Sequence, residues 1–207
     1  MKNLFLTSSN YDVMHDVIKH IPTFKKGMKL AFIPTAAEVE SGSLSWLHAD
    51  RKALVDVGFD VRDFSVTNKT VEEVKAALDP VDAVLMSGGN TYFLLQEIQR
   101  SNCAEYLKQR VEDGMIYIGS SAGSLVAGPD VRISWSLDDP ALSPELKNEK
   151  GIGMTDVVVF PHWGSDHFKK EYELTMKDCY TKGYKIVLLN DDQYLWVQDD
   201  WYKIMSI

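Results

Sequence analysis

The stretch that decides the fold is "YIGSSAGSLVAG", residues 117–128. Its first residues suit a buried strand, and residues 125–127 suit the first apolar turn of a helix. A strand that leads directly into a helix is the repeating unit of an α/β fold. The junction itself, residues 119–123, reads G-x-S-x-G, the pattern that holds a serine nucleophile on a sharp strand-to-helix turn. Small residues at such turns can also serve packing alone, so a functional interpretation needs partners elsewhere in the chain.

Outward from this junction, short β-prone runs alternate with amphipathic runs. We predict strands at 4–8, 29–35, 59–66, 82–88, 115–120, 156–160, 185–190, 193–200 and 201–207. We predict helices at 11–21, 41–58, 70–79, 91–114 with a break near Ser101-Asn102, and 165–183 with its end at Gly183. Segment 129–153, which contains prolines and glycines, should be mostly loop, and the last two strands should meet in a tight turn near Asp199-Asp200.

This alternation predicts a mostly parallel sheet covered by helices on both faces. The runs "AVLM" (83–86) and "IYI" (116–118) are apolar throughout, as strands buried on both faces should be. The chain has 207 residues and shows no repeat or linker. We therefore expect a single α/β domain spanning residues 1–207.

Composition narrows the classes of function. The formal net charge is -8, which argues against nucleic acid as a partner because phosphate binding needs a basic face. Cys103 and Cys179 have neither the number nor the spacing of a disulfide framework or a zinc site. The sequence shows neither a signal peptide nor an apolar run long enough for a membrane span, so we expect a cytoplasmic protein with no membrane partner.

A serine nucleophile needs a base, and His162 is the best candidate. It follows the strand at 156–160, and the carboxyl ends of strands are where open α/β sheets form their sites. His167 is a nearby rival, whereas His15, His20 and His48 fall in amphipathic helices. The five-residue spacing of His162 and His167 does not put both on one helical face, so we expect no metal site.

The acid that would orient the imidazole is open at this point. Asp138 and Asp139 lie in the irregular segment between Ser121 and His162, and Asp191 and Asp192 follow the strand at 185–190. Any one of these carboxylates could equally be solvated on a loop.

A second glycine-rich turn, "SGGNTYFLL" (87–95), ends another buried strand. Its backbone N–H groups could join that of Ala122 in holding an oxyanion. Neither G-x-G-x-x-G nor G-x-x-x-x-G-K is present, so the turn does not match a phosphate-binding loop, and we expect no cofactor.

Three motifs together, "LMSGGNTYFLL", "GSSAGSLVAGPDVR" and "FPHWGSDHF", resemble peptidase family S51, which includes dipeptidase E-like aspartyl dipeptidases. In order and approximate spacing the resemblance spans most of the chain. It implies a three-layer α/β/α sandwich related to class I glutamine amidotransferases, and a serine hydrolase.

Carried over residue by residue, the resemblance implies Ser121 as nucleophile, His162 as base, and the backbone N–H groups of Gly89 (or Gly88) and Ala122 as oxyanion donors. Asp138, in "DDP", best matches the family's acid, with Asp191 or Asp192 as the alternative.

The implied activity is hydrolysis of short peptides through an acyl-enzyme. A preference for N-terminal aspartate is implied less strictly, because Ser120 replaces a tryptophan of dipeptidase E and segment 129–161 is longer. The alternatives are a cyanophycinase-like hydrolase, an α/β-hydrolase-type esterase, and a non-catalytic binding protein of the same fold. The expected partner is a small peptide, and the chain could be a monomer or a homodimer.

Overall fold

The computed structural model describes residues 1–179 and 183–207. Its strands are β1 Asn3–Thr7, β2 Lys29–Ile33, β3 Asp60–Asp63, β4 Ala83–Met86, β5 Ile116–Ser120, β6 Val157–Phe160, β7 Lys185–Leu188, β8 Gln193–Gln198 and β9 Trp201–Ser206. Its helices are α1 Asn10–Val17, α2 Ser45–Val57, α3 Val71–Leu78, α4 Thr91–Arg100, α5 Ala104–Glu112, α6 Ala122–Ala127 and α7 Lys169–Cys179.

The main sheet has seven strands in the order β3-β2-β4-β5-β1-β8-β9. β1 to β5 run parallel, whereas β8 is antiparallel to β1 and β9 is antiparallel to β8. The carboxyl ends of β1, β4 and β5 therefore lie side by side at one edge, with β5 in the middle.

Helices cover both faces of this sheet, as the alternation predicted. On one face α1 and α2 pack on alternate strand residues such as Phe5 and Leu85. On the other face α3 to α6 pack on the intervening residues, such as Leu4 and Val84. Because successive strand residues point to opposite faces, both apolar sets are buried, and the result is the expected three-layer α/β/α arrangement.

β6 and β7 form a separate two-stranded parallel sheet rather than extending the main one. The free edge of β1 is taken by the antiparallel strand β8, so β6 has no place beside it. An apolar cluster instead packs β6 and β7 against α6 and α7 through residues such as Leu125, Val158 and Tyr172. This arrangement brings the carboxyl end of β6 over the end of β5.

The remaining predicted elements are present, most of them with shorter bounds and β1 shifted by one residue. The segment 91–114 divides into α4 and α5, and segment 129–153 is mostly irregular, with short 3-10 turns at Arg132–Ser136 and Pro140–Leu142. A 3-10 turn at Asp166–Phe168 precedes α7. The helix end expected at Gly183 depends on residues 180–182, which lie outside the described residues. Within the described part of the chain, no helix has the length and apolarity needed to cross a membrane.

Candidate active site

Ser121 sits on a strained turn between β5 and α6. Its backbone dihedrals are φ 49° and ψ −106°, outside the regions that a serine normally adopts. The turn is held because the Ser121 N–H donates to the Thr7 carbonyl (3.0 Å) and its carbonyl accepts from the Ser124 N–H (2.9 Å). Strain of this kind persists where the surrounding structure fixes it, and it is concentrated at functional sites.

The glycines on either side of Ser121 are required by close backbone approach. A Cβ at Gly119 would lie 2.7 Å from the carbonyl oxygen of Gly123 in α6. A Cβ at Gly123 would lie 2.0 Å from the carbonyl oxygen of Met86 at the end of β4. Both distances are far below van der Waals contact, so the G-x-S-x-G pattern is what allows α6 to start so close to the sheet.

His162 lies directly opposite Ser121. It follows Pro161 at the end of β6 with a positive φ of 58°, and its Nε2 is 3.0 Å from Ser121 Oγ. The imidazole stacks on Phe168 at 5.2 Å between ring centroids, and the Tyr172 hydroxyl donates to the backbone carbonyl of His162. The contact with Phe168 therefore fixes the imidazole ring, and the hydrogen bond from Tyr172 fixes the backbone of His162.

The other imidazole nitrogen is held by Asp191. His162 Nδ1 is 2.7 Å from Asp191 Oδ1. The hydrogen bond with His162 is the main cause that lowers the pKa of Asp191 below its ordinary value, while partial burial acts in the opposite direction. The carboxylate, the imidazole and the hydroxyl thus form one continuous hydrogen-bonded chain.

Asp138, our first choice for this acid, is placed elsewhere. Its Oδ2 accepts a hydrogen bond from the N–H of Thr91 at the start of α4 (3.1 Å), and burial raises its pKa to about 6. The turn that carries Asp138 packs on α4, which is why its carboxylate is engaged there and makes no hydrogen bond to His162 within the described residues. Asp192, the other alternative, makes no hydrogen bond to His162 among the described residues, whereas Asp191 does, so the geometry favours Asp191.

Ser8 is a residue of this site that the sequence reasoning missed. Its Oγ donates to Asp191 Oδ1 (2.6 Å) and accepts from the backbone N–H of His162 (2.6 Å). It therefore ties the acid to the loop that carries the base. The signal in the sequence is its place at the end of the predicted strand 4–8, at the same edge of the sheet as Ser121.

The glycine turn after β4 lies against Ser121. A Cβ at Gly88 would be 3.4 Å from the Ser121 Cβ, and one at Gly89, whose φ is 122°, would be 2.3 Å from the Ala36 carbonyl oxygen. Among the described residues, no hydrogen bond uses the backbone N–H of Gly88, Gly89 or Ala122. Ala122 directly follows Ser121, and Gly88 and Gly89 line the same cleft as Ser121, so these donors are candidates for binding a ligand there.

These groups open into a cleft of about 550 Å³. Carboxylates dominate its charge, since Glu40, Asp50, Asp138 and Asp139 line it and neither Lys nor Arg is among the described residues that line it. Burial raises the pKa of Glu40, and it raises that of Asp50 to about 6. His167, the rival base, lines the cleft and packs edge-on against Phe168. In the described part of the chain no group of three or more His, Cys, Asp or Glu side chains is arranged to hold a metal ion.

Comparison with known proteins gives the family. The model of peptidase family S51 matches residues 4–205. The chain belongs to peptidase family S51. Similar proteins include an uncharacterized peptidase of Listeria innocua, 32% identical over 97% of this chain and 94% of its own length. Another is Peptidase E of Streptomyces coelicolor, 30% identical over 84% of this chain and 70% of its own length.

A solved structure agrees with this assignment. A crystal structure of a candidate peptidase E protein from Listeria monocytogenes superimposes with a TM-score of 0.91 at 27% identity, covering 100% of this chain and 99% of that one. The S51 fold expected from the three motifs is thereby confirmed, and membership of the family supports a peptidase activity.

Proposed function

We propose that this S51 member is a serine peptidase that cleaves short peptides through Ser121, His162 and Asp191. The observation that carries the proposal is the hydrogen-bonded chain from Asp191 Oδ1 to His162 Nδ1 (2.7 Å) and from His162 Nε2 to Ser121 Oγ (3.0 Å). A nucleophile, a base and an orienting acid within hydrogen-bond reach are the arrangement that activates a serine hydroxyl.

The proposed reaction proceeds in two stages. Ser121 Oγ attacks the peptide carbonyl carbon while His162 Nε2 accepts the hydroxyl proton, and Asp191 stabilises the imidazolium that forms. His162 then gives this proton to the leaving amine as the C–N bond breaks, which leaves an acyl-enzyme on Ser121. A water molecule, deprotonated by His162, attacks the acyl carbon, and His162 returns this proton to Ser121 Oγ as the bond between the acyl carbon and Oγ breaks.

The oxyanion is assigned to the free backbone donors beside Ser121. The N–H of Ala122 follows the nucleophile directly, and the N–H groups of Gly88 and Gly89 approach from the end of β4. Donors that are already oriented toward developing charge stabilise the tetrahedral intermediate without reorganisation.

The negative charge of the cleft indicates which first residue of a peptide substrate the enzyme would prefer. A preference for N-terminal aspartate would need a cation near the substrate carboxylate, and the cleft lining offers carboxylates instead. We therefore propose short peptides whose first residue is neutral or basic. An Asp-Arg polymer, the substrate of the cyanophycinase alternative, offers the cationic side chains that such a cleft attracts, so it belongs in the substrate screen.

The esterase alternative is less favoured by chain order. In α/β-hydrolases the acid precedes the histidine along the chain, whereas here Asp191 follows His162. The cytoplasmic location and the monomeric or homodimeric state stay predictions from the sequence.

The test is a dipeptide library assayed with the wild-type enzyme and with Ser121→Ala. We expect the wild type to cleave dipeptides with a neutral or basic first residue, and Ser121→Ala to lower kcat by about a thousandfold or more. Full activity in Ser121→Ala would contradict the mechanism. Exclusive cleavage of Asp-X dipeptides by the wild type would contradict only the substrate preference.

A further inference from the structure

Asp50 is a buried carboxyl group in the cleft that the proposed mechanism leaves unused. It lies on α2, is 5% exposed and lines the cleft. Its Oδ2 accepts a hydrogen bond from Ser120 Oγ (3.0 Å), and its Oδ1 accepts one from the backbone N–H of Tyr11 (2.9 Å). Because Ser120 directly precedes the nucleophile, this carboxylate is one hydrogen bond away from the residue next to Ser121.

The charge of Asp50 has no cationic partner among the described residues. Both of its hydrogen-bond donors are neutral groups, and none of the described ion pairs includes it. A buried carboxylate is costly unless a positive group compensates it, and each carboxylate oxygen can accept more than one hydrogen bond. The Asp50 carboxylate can therefore accept further hydrogen bonds at this point of the cleft, and its negative charge is not compensated by a positive group among the described residues.

A peptide substrate carries a group that fits this point. In the first residue of a peptide the α-nitrogen is separated from the scissile carbonyl carbon only by Cα. An anchor for a free α-ammonium must therefore lie in the same cleft as the nucleophile and close to it. Asp50 lines the cleft together with Ser121 and is hydrogen-bonded to Ser120, the residue before it. On the same helix, one turn earlier, Trp46 also lines the cleft, and its ring reaches within 3.5 Å of where a Cβ at Gly88 would lie.

We infer that Asp50 binds the free α-ammonium of the substrate's N-terminal residue, so that the enzyme removes that residue and does not cut within blocked chains. This inference rests on the proposed function, because it takes Ser121 as the nucleophile that defines where the scissile bond lies. Burial raises the pKa of Asp50 to about 6, so the group is ionised at pH 7.5, and an ammonium would stabilise that charge.

The test uses three probes that react with a serine nucleophile. They are an alkyl fluorophosphonate, diphenyl 1-aminoethylphosphonate with its free amine, and the N-acetyl form of the same phosphonate. With the phosphonates, Ser121 Oγ forms a bond to phosphorus, a phenoxide oxygen leaves, and the serine proton passes through His162 to the phenoxide. The amine is the only difference between the last two probes.

The second-order rate of inactivation is measured for each probe at pH 7.5. We expect the free amine to react about tenfold to a hundredfold faster than the acetylated form with the wild type, since a charge-assisted hydrogen bond changes affinity by that order. In Asp50→Asn this ratio should fall to near one, while the fluorophosphonate rate changes by less than about threefold.

Asp12→Asn is the matched control. It makes the same chemical change on α1, at an exposed residue whose charge acts on Asp50 from outside the cleft lining. We expect it to keep the ratio of the two phosphonate rates within about twofold of the wild type. If Asp50→Asn does not fold, Asp50→Ser, which is also neutral and smaller, takes its place.

Each contrary outcome has a distinct meaning. A wild-type ratio near one, or a ratio preserved in Asp50→Asn, would overturn the role of Asp50. Equal slowing of all three probes in Asp50→Asn would show a structural role instead and would also overturn it. Failure of all three probes to modify the wild type would overturn the proposed function itself.

Discussion

The carboxyl groups in and beside the cleft differ in how their surroundings shift their pKa values. Asp191 has its pKa lowered, chiefly by its hydrogen bond with His162, whereas burial raises the pKa of Asp50 and of Asp138 to about 6. Asp191 is thus the carboxylate that stays ionised over the widest pH range. This is the property needed to stabilise an imidazolium during catalysis.

Exchanging the carboxylates one at a time tests this difference. Asp191→Asn should lower kcat by about a hundredfold to ten-thousandfold, because the amide no longer holds the imidazole in the productive tautomer. Asp138→Asn should change kcat by less than about tenfold, since its carboxylate is bound to the Thr91 N–H. The measurement is kcat on the best dipeptide of the library. The reverse order of the two effects would restore Asp138 as the orienting acid.

Ser8 should act through the pair that it connects. Ser8→Ala removes a donor to Asp191 and an acceptor for the His162 N–H, so we expect kcat to fall by about tenfold or more with little change in KM. The control is Ser9→Ala. Ser9 is the neighbouring residue and also lines the cleft, but its side chain makes no cap hydrogen bond to α1.

A double variant separates positioning from a general structural effect. If Ser8 acts through Asp191, Ser8→Ala should cost less in an Asp191→Asn background than in the wild type. Effects that simply multiply would show that the serine is independent of the acid.

Among the elements, α6 is the one whose position fixes Ser121, the proposed nucleophile. It starts directly at Ser121 and approaches β4 so closely that Gly123 has no room for a Cβ. Gly123→Ala should therefore lower the free energy of unfolding by about 3 kcal/mol or more, measured by urea denaturation, because the Met86 backbone would have to move.

A change at a helix end remote from the site provides the contrast. Thr70 and Glu73 form a capping box at the start of α3. Thr70→Ala should cost only about 1 kcal/mol and leave the rate of fluorophosphonate labelling unchanged. Equal stability losses in the two variants would show that the approach of α6 to β4 is not tight.

The elements that alternate locally could be predicted from the sequence, and those that depend on distant pairing could not. Apolar runs, and the glycines that follow them, predict β1 to β5 and their helices, because these signals lie within each segment. The separation of β6 and β7 from the main sheet has no local signal, since it follows from β8 occupying the edge of β1.

The residues of the candidate site differ in the same way: some are marked by a local pattern, and others depend on distant contacts. The sequence predicts Ser121 and His162 as partners because a strand end and a local motif mark each of them, and the structure brings their side chains together. The choice between Asp138 and Asp191 depends on which loop reaches the imidazole, and neither loop carries that information. Ser8 contributes through contacts 154 and 183 residues away in the chain, which no local pattern encodes.

At the scale of the whole molecule, buried carboxyl groups make stability depend on pH. Burial raises the pKa of Asp50 from 3.8 to about 6, so folding favours its protonated form. Its contribution to stability is fully present below pH 3.8 and is lost as the pH rises through about 6. Ionised Asp50 therefore destabilises the folded enzyme at pH 7.5.

Asp50→Asn removes this titration. We compare the free energy of unfolding of the variant minus that of the wild type at two pH values. This difference should be larger, in favour of the variant, at pH 7.5 than at pH 4.5 by about 2 kcal/mol. Any loss of hydrogen bonding in the variant acts at both pH values, so the difference isolates the charge. Urea denaturation at the two pH values gives the numbers, and a difference near zero would show that Asp50 keeps its ordinary pKa.

The candidate site is assembled from segments spread over the whole chain, from Ser8 after β1 to Asp191 after β7, and the proposed chemistry depends on Ser121 as the nucleophile. The most direct test is mass spectrometry of the intact enzyme after treatment with an alkyl fluorophosphonate, followed by peptide mapping. We predict a single adduct on Ser121, formed slowly in His162→Ala and absent in Ser121→Ala. An unmodified wild-type protein, or an adduct that persists in Ser121→Ala, would contradict the proposed serine mechanism.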